Sequence, residues 1–440
     1  MTGAMYAAIA GLRTHMQNLN VIGNNVANVN TNGYKSSRAV FKTSLYTTLN
    51  GGSNGTAVLG GTNPSQIGYG SSVSTVDVDM STGNYAVTGK TTDLMLDGDG
   101  FFMVGGKDIA ENFNGTIRDA STLTALNLTR VGNFEFRADG YLGKEDGNVV
   151  YGFLCTGVWG DANHPLRVTP PAGSTVTPGA DGKIPNPEMP KTAKEGDPVF
   201  SDQLVPIRFP RAEKVDMYYD AKTGVKLDPQ PTTPPTEAEM EAQGIEKRSE
   251  TVIRYPEDRT ITTDPATGAV TLGPHKPLTD AGVVNGEQTL SQAQFEGITF
   301  DQNTGVITGT SRDTKEVVTI GCIAVGMVTN PNGVTNLGDN YYKAGEGSGE
   351  LTVSILGGNA EAMNIQYINK SLNEGATDDV DALRARTSET KCLSNGLEMS
   401  KTDLAQEISS MILTQRGYQA NTRIVTVTDS MLEELVNMKR

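Results

Sequence analysis

The chain has 440 residues, a formal net charge of −15, one tryptophan, 50 glycines and only 6% aromatic residues. At about 150 residues per domain, that length calls for two to four domains rather than one core. The glycine-rich, aromatic-poor composition suits small β domains with many turns better than a compact enzyme. The acidic balance excludes nucleic acid and anionic membrane surfaces as natural partners.

The N-terminal arm is a different material from the rest. No Asp or Glu precedes Asp77, whereas Arg13, Lys35, Arg38 and Lys42 do, so the first 76 residues carry +4 and the remainder −19. Apolar residues fall at Met5, Ile9, Leu12, Met16, Leu19 and Val26, a heptad seam with Gly23 at the skipped place. The pattern predicts a helix over about residues 3–28. It ends in NNVANVNTNG, where asparagines and Gly33 favour turn and left-handed backbone. Residues 1–30 are therefore read as half of a terminal helical domain. The opening MTGAMYAAIAGL resembles the apolar part of a signal peptide, but Arg13 follows the apolar stretch and no cleavage site is recognisable. Export, if it occurs, is expected without a cleaved leader.

Residues 31–75 are read as an extended connector, because 50–72 is a run of Gly, Ser, Asn and Thr with little hydrophobic drive. Alternation in 73–80, 94–104 and 128–142 predicts strands, and Asp139-Gly140 and Asp146-Gly147 predict hairpin turns. Residues 76–150 with 320–394 are assigned to an inner β domain, and 151–319 to an outer β domain inserted into it. Eighteen of the 20 prolines lie between Pro165 and Pro277, so 165–250 reads as irregular loops and edges. A β series resumes near Val252 and includes ITFDQNTGVITG at 298–309.

The C-terminal arm answers the N-terminal one. Leu397, Leu404, Ile408, Met411, Tyr418, Val425 and Leu432 keep heptad steps and predict a helix over about 398–437, with Gly417 as an internal weak point. Residues 395–440 complete the terminal helical domain. Between residues 1 and 34 the only formally charged side chain is Arg13, whereas a solvated helix normally carries a charged outer face. Such arms suit dense packing against other protein, either within one chain as a coiled coil or between many copies side by side. The fold class expected is thus mixed and mainly β: two nested β domains with N- and C-terminal helices in a coiled-coil-like terminal domain.

Catalytic and metal chemistry leaves little trace. His15, His164 and His275 have no metal-ligand spacing, and the sequence holds no nucleophile elbow, phosphate loop or CxxC. Asp97-Gly-Asp99-Gly begins like a calcium loop, but Phe101 and Phe102 break the pattern, which favours a turn between strands. Asp77 and Asp79 share a strand face and read as a solvated edge rather than a carboxylate pair for acid–base work. Cys155, Cys322 and Cys392 read as buried small hydrophobes, with a disulfide or a cross-linking thiol as the alternative. No cofactor is expected.

Four blocks carry a resemblance. LNVIGNNVANVNTNGYKSSR (19–38) is similar to the N-terminal signature of the flagellar rod and hook axial family, through Asn24, Asn25, Ala27, Asn28, Asn30, Thr31, Gly33, Tyr34 and Lys35. QRGYQANTRIVTVTDSMLEELVNM (415–438) resembles its closing helix, with Tyr418, Gln419, Ala420, Asn421 and Met431-Leu432 in place. DLMLDGDGFFMV (93–104) and LTRVGNFEFRADGYL (128–142) match internal blocks of the family. The resemblance covers roughly 1–160 and 320–440, and the insert between resembles the hook members rather than the shorter rod members. It implies a non-enzymatic homopolymer: a tube with an inner helical layer, outer β layers and a flexible, torque-transmitting role. Implied partners are further copies of the chain, the distal rod protein, hook cap, hook–filament junction proteins and flagellar export apparatus. The implied place is the extracellular hook and basal body. The residues implied in self-assembly are Leu12, Leu19, Asn24, Asn25, Asn28, Asn30, Thr31, Gly33, Tyr34, Leu404, Ile408, Met411, Tyr418, Gln419, Asn421 and Leu432. Cys155 is a candidate for inter-subunit cross-linking. The competing readings are a distal rod subunit with an unusual insert and an axial protein with an enzymatic insert, such as a wall hydrolase.

Overall fold

The computed structural model describes residues 2–54, 60–107, 123, 125–161, 165–168, 184–185, 194–201, 204–227, 235–263, 270–279, 283–284, 287–288, 290–356 and 390–438. The chain forms two compact units: Met1–Tyr85 with Glu398–Arg440, and Ala86–Leu397. It is mainly β, with a helix near each end.

In the first unit, helix α1 spans Thr2–Ala27. It stops where the Asn28 N–H bonds back to the Asn24 and Asn25 carbonyls and the chain turns through Gly33 at φ 67°, a conformation open to glycine. The expected connector is instead a long antiparallel hairpin. Ser37–Thr43 pairs with Ser71–Val78, bulged between Val40 and Phe41, and Tyr46–Asn50 pairs with Ser65–Gly68. Composition hid this because the strands are Ser/Thr-rich, yet β-branched residues fit a pleated surface, and Tyr46 covers Gly68 at 3.1 Å from where a Cβ would stand. The near half of the hairpin packs on α1: Thr14 Oγ1 donates to the Ser71 carbonyl (3.0 Å), and Gly70 (φ 104°) leaves room for Ala10.

The C-terminal helix of this unit, Leu404–Met438, begins six residues later than the heptads suggested. Met399 donates its N–H to the Asn84 carbonyl and Lys401 donates to the Tyr34 carbonyl, so the approach is extended. Asp403 caps the helix, its Oδ1 accepting from the Ala405 and Gln406 N–H groups at 2.9 and 3.2 Å.

The second unit is built on antiparallel pairing. Its largest sheet follows the order Glu135–Phe136, Leu142–Gly143, Val149–Val158, Val317–Val328, Phe101–Gly105, Asn127–Thr129, Tyr341–Lys343, Thr335–Gly338. Both expected hairpin turns are present, with Gly140 at φ 83° and Gly147 at φ 104°. Phe295–Phe300 and Val306–Ser311 pair as a hairpin within the β series expected from about Val252. The core gathers Leu94, Leu96, Phe102, Phe134, Ile307 and Ile323 among others, with Phe102 and Phe134 edge to face at 5.0 Å.

The boundaries expected at 150/151 and 319/320 fall inside Val149–Val158 and Val317–Val328, which pair with each other through Phe153 and Cys322. Val149–Val158 is buried along nearly its whole length and Val317–Val328 from Ile320 to Gly326, so the insert leaves the sheet from buried strands. Within the Pro-rich stretch, Arg211–Asp220 pairs in unbroken register with Ile245–Arg254. Between these strands lies the short helix α2, Glu237–Gln243, with a Thr236–Glu239 capping box. Much of the rest of that stretch lies outside the described residues. The C-terminal helix, Leu404–Met438, is α3.

Candidate assembly interface

The candidate site is the pair of terminal arms, and its geometry starts from how α1 and α3 meet. Asn25 Nδ2 donates to Glu407 Oε1 at 2.9 Å, and Asn18 Nδ2 donates to Thr414 Oγ1 at 2.9 Å. His15 lies against Gly417, and Asn421 lies against Gly11. Steps of seven, three and four residues along α1 are matched by equal steps along α3, so the helices run antiparallel in one register. The α1 stripe facing α3 is Gly11, His15, Asn18 and Asn25, and Ala8 and Ile22 on the same heptad phase are buried. This stripe lies beside the more apolar one picked out by periodicity.

Gly417 is thereby explained. A Cβ there would stand 2.7 Å from His15 Cε1, so the position that looks like a weak point is where the imidazole needs space. Gly11 plays the same part for Asn421, whose Nδ2 would be 2.5 Å from a Cβ. Replacing either glycine requires the opposing side chain to move.

The asparagine run forms a polar joint at the end of α1. Asn25 is 1% exposed, and its amide is used on both sides. Its Nδ2 donates to the Ser37 carbonyl (2.7 Å) and Glu407, while its Oδ1 accepts from the Tyr34 hydroxyl (3.0 Å) and the Ser37 N–H (2.9 Å). Asn24 Nδ2 donates to the Tyr34 hydroxyl, Asn28 Nδ2 to the Asn24 carbonyl, and Thr31 Oγ1 to Asn28 Oδ1. Burial, and then the Glu407 charge, push the Tyr34 phenol above its ordinary pKa. Gly33 donates its N–H to the Glu398 carbonyl at 2.7 Å, and Asn30 is exposed.

Sequence reasoning missed the acid beneath this joint. Lys35 and Glu398 form an ion pair of 2.5 Å whose side chains are each 1% exposed. Lys35 Nζ also donates to the Ser81 carbonyl, and Glu398 Oε1 accepts the Gly83 N–H. The available signal was a lone lysine in an otherwise uncharged motif and a lone glutamate in SNGLEMS, but nothing local links them. Asp79, expected on a strand face, closes a turn by accepting from the Ser81 hydroxyl and N–H. The hydroxyl bond comes first in holding its carboxyl below the usual range.

Away from the shared seam the arms leave large apolar residues open. On α1, Tyr6 and Met16 are exposed and Leu12 and Leu19 half-buried. On α3, Leu404, Ile408, Ile412, Leu413, Tyr418, Ile424, Val427, Met431, Leu435 and Val436 are all exposed, Leu413 at 73%. Gln419 is exposed too, while Met411, Asn421 and Leu432 are half-buried. Cys155 lies in the other unit, 1% exposed, and burial pushes its thiol up to about 12, a setting that keeps it protonated and unreactive. Among the described residues no group of His, Cys, Asp or Glu is arranged to hold a metal ion.

Comparison with known proteins bears on both arms. Residues 5–35 match the family "Flagella basal body rod protein", and 393–438 match "Flagellar basal body rod FlgEFG protein C-terminal". The flagellar basal-body rod protein FlgG of Bacillus subtilis is 27% identical over all of both chains. The flagellar hook protein FlgE of Borreliella burgdorferi is 25% identical over all of both chains, and that of Salmonella typhimurium 25% identical over 98% of this chain and 99% of its own. The crystal structure of Helicobacter pylori flagellar hook protein FlgE2 aligns with 71% of this chain and all of its own at 14% identity, with a TM-score of 0.28, too low to bear on the fold. The matched segments coincide with the two arms that form the seam and the polar joint, and along its whole length the chain is similar to flagellar rod and hook proteins.

Proposed function

We propose that the chain is a structural subunit of the bacterial flagellar hook, polymerising through its helical arms into a curved, flexible tube that joins rod to filament. The observation that carries the assembly mechanism is the open apolar surface of α3, from Leu404 to Val436. Large apolar side chains exposed in that number along one helix call for a protein partner, and a second copy supplies apolar side chains of the same kind. The similarity to hook proteins over their full length carries the identity of the polymer. In this reading Leu12, Leu19, Ile408 and Met411 hold an inner helical layer. The neighbours are the distal rod protein, hook cap and junction proteins. The role is mechanical rather than catalytic.

A second reading is favoured by one observation, the full-length similarity to a rod protein: the chain is then a distal rod subunit with a large insert. Electron microscopy of basal bodies from a strain lacking this chain separates the two. Complete rods that end without hooks are expected, whereas truncated rods would transfer the assignment to the rod.

A further inference from the structure

We propose that the seam between α1 and α3 is a register lock, whose keys are the Gly417–His15 and Gly11–Asn421 contacts and whose task is to fix the helix pairing made inside each subunit. The inference rests on the hook reading only in that self-assembly supplies the wrong pairings the lock must exclude.

The lock is needed because the arms are otherwise permissive. The large apolar residues of both helices recur with the heptad, and such stripes tolerate slips of seven residues and exchange of partners. In a polymer every α3 has neighbours that offer the same faces. The polar rungs do not settle the matter alone. After a slip of seven residues, Asn18 would meet Glu407 in one direction and Asn25 would meet Thr414 in the other, so amide bonds could re-form.

The glycines do discriminate. The same slips set Ser410 or Ile424 against His15, at a place where even a Cβ would lie 2.7 Å from the ring. They set Thr414 or Thr428 against Gly11, and move Asn421 from Gly11 to a place opposite Ala4 or Asn18. His15 is flanked by Phe41, at 6.4 Å between ring centroids, and its Nδ1 is buried without a hydrogen-bond partner. An unpartnered buried polar atom is retained at a cost in stability. Here it accompanies a bulky ring that fits one register, a trade of stability for specificity also seen where a polar residue sets the alignment of a coiled coil.

The sign of one substitution tests this. Glycine to alanine inside a helix normally strengthens it; at Gly417 it is expected to loosen the native pairing. In the full-length chain, Asn18→Cys with Thr414→Cys reports the native register by disulfide formation. Asn18→Cys with Glu407→Cys, and Asn25→Cys with Thr414→Cys, report slips in either direction while leaving both glycine keys intact. The natural cysteines are buried, and intrachain and interchain links separate on a denaturing gel. The native link should form within chains. Adding Gly417→Ala should lower the ratio of native to slipped links by about fivefold or more, as overpacking of this size does to an equilibrium. His15→Ala in the otherwise unsubstituted chain should also lower the ratio, because it relieves the slipped registers of the clash between the ring and Ser410 or Ile424. An unchanged ratio in either variant, or a native pair that links chiefly between chains, would overturn the lock. If no polymer forms, the soluble chain still reads the register, and the hook reading rather than the lock is then in question.

Discussion

Among the described residues of 86–397 a core of large aliphatic and aromatic side chains is closed to solvent: Leu96, Phe102, Phe134, Ile307 and Ile323 are each no more than 2% exposed. In the helical unit the arrangement is reversed. Polar and small residues line the contact between α1 and α3, while Ile412, Leu413, Val427 and Val436 stand 52–73% exposed. The β unit is a finished object that gains its stability from its own core. The helical unit is half of an interface, held together within the chain by directional contacts and leaving its hydrophobic surface for association.

The largest expected effects break that contrast. Phe102→Ala removes a fully buried ring and should destabilise the β unit by about 3–5 kcal/mol, read by denaturant titration of the full chain. Ile408→Asp adds a charge on the open face of α3 and should leave monomer stability within about 0.5 kcal/mol while abolishing polymer formation by sedimentation. If Ile408→Asp unfolds the monomer, or polymerises normally, the open face is not the assembly surface.

Glu398→Ala sharpens the comparison from inside the helical unit. It strips the buried Lys35 ammonium of its carboxylate counter-charge and takes the side-chain acceptor from the Gly83 N–H. Removing one partner of a buried pair costs about 3–5 kcal/mol at full burial, but because this pair anchors a small unit the loss should be confined there. Hydrogen exchange should therefore rise in α1 and the 37–78 hairpin and stay low in Phe101–Gly105 and Val149–Val158. An equal rise in both units would mean that they do not unfold separately.

How far these features could be read in advance depended on whether their cause was local. Both terminal helices showed in the heptads, because proline-free arms with a sustained apolar repeat leave few alternatives. The start of α3 did not, because Glu398–Lys401 looks helical by spacing yet its backbone is bonded to Asn84 and Tyr34. The intrachain seam was missed because periodicity marks the most apolar stripe, whereas the stripe facing α3 is made of Gly11, His15, Asn18 and Asn25. Lys35 and Glu398 are 363 residues apart, beyond any local signal. The hairpin Arg211–Asp220/Ile245–Arg254 was concealed by neighbouring prolines and by charge. Its exposed pairs Arg254–Glu213 and Lys247–Asp216 cross the strands, but read singly they look like solvated loop residues.

The smallest expected effect concerns Tyr34, in the joint where α1 meets Glu407. Burial and the Glu407 charge raise its pKa above the ordinary 10.0, so the folded state holds the phenolic proton more tightly than the unfolded one. The sign follows from linkage: the contribution is fully present below pH 10 and is lost as pH rises from there through the folded-state pKa, because the unfolded chain then binds fewer protons. Stability of the helical unit should thus decline above pH 10. Tyr34→Phe removes the titrating group together with its hydroxyl bonds to Asn24 and Asn25. At neutral pH it should cost about 1 kcal/mol, and the alkaline decline of the helical unit should become shallower than in the unsubstituted chain. Helix circular dichroism against denaturant at pH 8 and pH 11 reads both. Parallel declines in the two proteins would show that the tyrosine proton is not linked to folding of the arms, and would leave Asn25 and Glu407 as the bonds that hold the joint closed.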